Sequence, residues 1–146
     1  MAPRISRRPR PAPDTPVYEA DTDGVTVRVT PGFMPEQSNR DSNRFVWSYT
    51  VEIENRSQRE IQLISRRWII TDALNRTEVV RGKGVVGEQP HFKPGEAYRY
   101  ASACPLQTSS GLMGGAYQML STDGELFEVA IPTFSLDLPN AGSKLN

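Results

Sequence analysis

A chain of 146 residues, 37% hydrophobic and 23% charged, is long enough for one domain with its own core. Lysine plus arginine and aspartate plus glutamate stand at 17 each, so no chain-wide charge draws it to nucleic acid or membrane. One histidine and one cysteine exclude an internal disulfide and the usual zinc or copper ligand sets.

Residues 1–16 hold Arg4, Arg7, Arg8 and Arg10 against Asp14, with five prolines. Proline removes backbone donors and little apolar surface is present, so this segment reads as a disordered basic tail. The rest of the chain carries the opposite, mildly acidic balance. No apolar core follows the basic residues, as a secretory signal would require, and no run approaches the roughly 18 residues that span a bilayer. The expected compartment is the cytoplasm.

From Val17 onward the pattern turns to period two, the signature of strands. Past the turn at Asp23-Gly24, Val25, Val27 and Val29 alternate with polar residues. Pro31 to Asn43 is polar and reads as a long loop. Phe45, Trp47, Tyr49, Val51 and Ile53 then share one face, with Ser48, Thr50, Glu52 and Glu54 on the other, as in an antiparallel sheet wet on one side. After a turn at Asn55–Ser57, Ile61, Leu63 and Trp68–Ile70 continue as strand, and Asp72 to Arg76 reverses the chain.

Val79 to Val86 is extended but interrupted by glycines. Lys93-Pro94-Gly95-Glu96 is a strong turn signal, and Tyr98, Tyr100 and Ser102 alternate after it. Ser109 to Gly115 reads as loop. Tyr117 and Met119 lead to Asp123-Gly124, a favoured two-residue hairpin connection, and Leu126 to Leu138 returns. Seven or eight short strands with frequent turns predict an all-β antiparallel sandwich of immunoglobulin or fibronectin type III size over residues 17–140, followed by a tail at 141–146.

The conspicuous motif is Gly82-Lys83-Gly84-Val85-Val86-Gly87, a formal GxGxxG. A dinucleotide site needs a helix after it, and Pro90 and Pro94 forbid that helix. Two readings stay open. The glycines make a structural bulge at a strand edge, or the loop exposes backbone N–H groups and Lys83 to a ligand or partner. On the second reading, Gly84→Val should remove binding and spare the fold.

Other chemistry is poorly supplied. His91 and Cys104 could pair only if the fold joined them, and no G-x-S-x-G elbow exists. No residue is therefore assigned to catalysis, metal or cofactor. Arg56, Arg59, Arg66, Arg67, Arg76, Arg81 and Lys83 crowd the middle third beside Trp68. Glu52, Glu54, Glu60, Asp72 and Glu78 are interspersed, which favours a solvated mixed surface over nucleic-acid binding.

The segment VVRGKGVVGEQPHFKPGEAYRYASA, with RRWIITDALNR before it and LMGGAYQMLSTDGELFEVAIPTFSL after it, resembles the ApaG family from about Val17 to Leu138. The resemblance implies a fibronectin type III-like sandwich, a protein-recognition role, and a link with cobalt and magnesium homeostasis in bacteria. The family's glycine hallmark maps onto Gly82, Gly84 and Gly87, followed by Pro90. The expected function is a non-enzymatic protein-interaction module, joining an unidentified protein or a second copy of itself through a sheet edge or the 82–87 loop. The rival reading is phosphate or nucleotide binding at that loop.

Overall fold

The computed structural model describes residues 16–139 as two antiparallel sheets packed face to face. The expected tails at 1–16 and 141–146 lie outside the described residues, save Pro16. The strands are β1 (Tyr18–Thr22), β2 (Val25–Phe33), β3 (Phe45–Asn55), β4 (Ile61–Asp72), β5 (Thr77–Lys83), β6 (His91–Phe92), β7 (Ala97–Leu106), β8 (Gly111–Ser121) and β9 (Leu126–Leu136). One sheet has the order β1-β2-β3-β7. The other runs β5-β4-β8-β9, with β6 also on β4.

The sandwich is as the alternation predicts, but the described strands number nine, not seven or eight. The two-residue β6 is too short to show a period. Two other differences have local causes. Pro31–Phe33 continue β2 against Trp47–Tyr49, so the expected loop starts only at Met34 and contains two 3-10 turns, Pro35–Gln37 and Arg40–Ser42. Gly111–Gly115 belong to β8, where the glycines serve close approach: a Cβ on Gly115 would stand 1.9 Å from the Arg67 carbonyl oxygen of β4. Asp123-Gly124 also lies in a longer connection, closed by Ser121 N–H to the Glu125 carbonyl at 2.9 Å.

The core lies between the sheets, where Val27, Val51, Ile53 and Trp47 of the first meet Tyr117, Met119, Val129 and Phe134 of the second, all essentially dry. Each such side chain contributes about 1.5–3 kcal/mol by leaving water. Phe134 touches the rings of Tyr18, Tyr49 and Trp68, which ties β1, β3 and β4 together.

The two flanks of the sandwich differ. On one, β1 and β2 pack over β9, and Thr22 Oγ1 accepts from the Ala130 N–H at 3.1 Å. On the other, β5 and β7 are edge strands with a cleft of about 430 Å³ between them.

Candidate binding edge and glycine loop

β5 and β6 both lie along the same side of β4, and the chain between them makes an excursion that contains the glycine motif. The excursion leaves where β4 has an extra residue, Ile64, between Leu63 and Ser65. The Ile64 carbonyl accepts from Gly84 N–H at 2.8 Å and from Gln89 Nε2 at 2.9 Å, while Leu63 N–H donates to the Pro90 carbonyl at 3.0 Å. Both arms of the loop are thus fastened to one bulge.

Between the arms, Val85 and Glu88 exchange backbone bonds of 2.8 and 2.9 Å. The central residues Val86 and Gly87 have φ of 40° and 83°, the positive values a two-residue type I′ hairpin needs. Gly84 is at φ 64°, and a Cβ there would stand 2.1 Å from the Glu88 carbonyl oxygen. The expectation that Gly84→Val would spare the fold is therefore corrected: this position tolerates no side chain.

The remaining motif residues divide by exposure. Gly82 lies within β5, and its small size admits the guanidinium of Arg66, 2.7 Å from where a Cβ would be. Val85 is a core residue and Pro90 is buried. Lys83, Val86 and Gly87 are exposed. The amide of Gly84 is spent on the Ile64 carbonyl of β4 and those of Val85 and Glu88 on each other's carbonyls, so these three are not free to hold a phosphate.

The bulge at Ile64 also decides the direction of the arginines. Arg66 turns toward the inter-sheet cleft, where it donates to the carbonyls of Lys83 (3.2 Å) and Gly84 (2.7 Å) and so caps the end of β5. Arg67 points to the outer face, directly opposite Arg81 in the register, with Lys83 two residues along. These three cations line a groove of about 510 Å³ with Gln89, Gln118 and Glu128, and Arg66 borders it as well. Glu128 pairs with Arg67 at 3.0 Å; among the described residues neither Arg81 nor Lys83 makes an ion pair. Two other arginines of the middle third are engaged elsewhere: Arg59 is taken by Glu125 and Arg76 by Asp72.

Beside the cations the same outer face is apolar. Ile69 lies opposite Val79, and Leu112 follows on β8; they are 40%, 46% and 49% exposed. The cleft behind β5 is lined by Trp68, Val80, Pro105 and Met113, with Arg66, Glu78 and Tyr100 beside them, and Tyr100 in turn meets the buried Tyr117. The two tyrosine hydroxyls meet at 2.5 Å, and burial pushes both pKa values well above the ordinary range. Burial also pushes the Cys104 thiol up to about 11, helped by the negative charge of Glu78. It is a protonated thiol at neutral pH, the unreactive form.

The candidate catalytic and metal constellations do not assemble. His91 pairs with Gln62 near the start of β4, while Cys104 lies in the cleft with Ile70 and Glu78 near its far end. Among the described residues, no three of His, Cys, Asp and Glu converge as metal ligands. The sequence shows the loop and the crowd of basic residues in the middle third, which reads there as a mixed solvated surface. Only the register shows that Arg67, Arg81 and Lys83 share the outer face.

Comparison with known proteins agrees with this architecture. The family model described as the ApaG domain matches residues 35–121. Protein ApaG of Caulobacter vibrioides is 54% identical over 139 residues, covering 95% of this chain and 99% of its own. Its counterpart in Bradyrhizobium diazoefficiens is 52% identical over 130 residues, covering 89% and 100%. Among solved structures, an ApaA protein from Bordetella pertussis superposes with a TM-score of 0.78 at 47% identity, covering 80% of this chain and 95% of that one.

Proposed function

The chain belongs to the ApaG family, and we propose that it works there as a non-enzymatic protein-interaction module of the cytoplasm. The observation that carries this reading is the unequal treatment of the sandwich flanks. At one flank β1 and β2 pack over the edge strand β9. At the other, among the described residues, β5 pairs with β4 alone, between the inter-sheet cleft and an outer face with exposed Ile69, Val79 and Leu112. An open edge offers backbone hydrogen bonds to an added strand, and pockets on either side supply specificity.

The tip of the glycine loop supports the same surface. Val86 is 55% exposed at positive φ, a conformation that costs a β-branched residue on the order of 1–2 kcal/mol. An apolar side chain held there at a cost, beside the cleft, suits contact with a partner. On this reading any part in cobalt or magnesium homeostasis is exerted through the captured protein. The phosphate reading draws on Lys83 and its neighbours, but three of the loop amides, those of Gly84, Val85 and Glu88, are already committed to backbone carbonyls.

Affinity capture with the wild-type chain beside Ile69→Ser/Val79→Ser tests the proposal. Both side chains are exposed, so the variant should melt within a few degrees of wild type. Proteins retained by wild type and lost by the folded variant would support the module. Identical captures would sink it at this surface.

A further inference from the structure

We infer that the strand accepted at β5 is an acidic one, an extended segment of a partner protein in which apolar and acidic residues alternate. The inference rests on the interaction reading above and specifies its ligand. It starts from charge. On the outer face of the first sheet, Arg28 is shared by Glu19, Glu52 and Glu54 at 3.0, 3.2 and 3.1 Å. On the outer face of the second, Arg67 and Arg81 stand directly opposite, Lys83 follows, and Glu128 alone supplies an acid to their groove. Like charges placed opposite across a sheet are destabilising, and the zero net charge of the chain does not require this clustering.

Period two then fixes what the added strand looks like. Arg81 and Lys83 share the outer side of β5, while Val80 and Gly82 share the side of the cleft. A strand laid beside β5 continues that alternation, so every second residue lies next to the cations and the others face Val80, Val85 and Pro105. Acidic residues suit only the first set. Those turned to the cleft would meet its apolar lining and, at its far end, the carboxylate of Glu78, while Arg66 in the cleft is already engaged with the Lys83 and Gly84 carbonyls. A second copy joined β5 to β5 would add the same three cations to that face, so the charge pattern favours a different chain.

The test uses a labelled seven-residue peptide of alternating valine and glutamate, the length of β5, and a matched valine–lysine peptide. Fluorescence anisotropy is read against the full chain and against Arg81→Glu/Lys83→Glu, with Arg81→Gln/Lys83→Gln as a milder second variant. Wild type should prefer the glutamate peptide by on the order of tenfold. The glutamine variant should lose the preference and the charge-reversed one should invert it. Equal binding of the two peptides would overturn the proposal. So would tighter binding of a single-stranded oligothymidylate, or a wild-type dimer that the glutamine variant dissolves. If the peptides show no preference while capture still depends on Ile69 and Val79, the module survives and only its acidic ligand falls.

Discussion

The two long flanks of this sandwich are built from the same material and finished differently. At the β1/β9 flank a threonine hydroxyl occupies an edge amide, and ring meets ring between Tyr18 and Phe134. At the β5/β7 flank the sheets part over an apolar cleft, and the edge strand carries cations with few acids to answer them. The difference teaches where the fold spends its side chains on stability and where it leaves them for something else. Substitutions on the first flank should therefore register in stability, and those on the second in binding.

The largest effect is expected in the shared core. Phe134→Ala removes a ring that touches Tyr18, Tyr49 and Trp68 and should cost about 3–5 kcal/mol in urea unfolding. A loss below 1 kcal/mol would show that the two sheets are not joined through it. Next comes Gly84→Ala, which adds a Cβ against the Glu88 carbonyl and places alanine at positive φ. The conformational part alone costs about 1–3 kcal/mol, so an unchanged melting curve would contradict the loop geometry.

Val86→Asn sharpens the contrast because its two readouts should move in opposite directions. Asparagine tolerates positive φ and suits the first position of a type I′ turn, so stability should rise by about 1 kcal/mol. Partner capture should weaken as the apolar tip is lost. If stability and capture both rise, the tip is structural only.

The smallest effect concerns Cys104. Its folded pKa, about 11, stands above the ordinary thiol value of 9.0, so its contribution is whole below pH 9. The unfolded chain ionises first as pH rises, so that contribution should drain away between about pH 9 and 11. Unfolding of wild type and Cys104→Ala, compared across this window, should show the extra loss in wild type alone. Parallel curves would mean the thiol is not held dry.

Much of the fold is legible in the sequence because burial follows a simple period. Phe45, Trp47, Tyr49, Val51 and Ile53 hold one face and all lie in the core, although Val46 and Glu52 on the other face are buried too. In β4 the alternation breaks at the extra residue Ile64, which sends Arg66 inward and Arg67 outward. Nothing in the letters marks that bulge. The GxGxxG string announces a special backbone, but its cause is a hairpin fastened to the same bulge. The cationic face joins Arg67 of one strand to Arg81 and Lys83 of another, and only the pairing register brings them together.

The central claim, that β5 is the receptive edge, is tested most directly by amide chemical-shift mapping of the isotope-labelled full chain titrated with the valine–glutamate peptide. The account predicts shifts concentrated at Arg67–Ile69 and Val79–Val86, with Tyr18–Thr22 unmoved. Shifts gathered on the β1/β9 flank, or spread over both flanks alike, would contradict it.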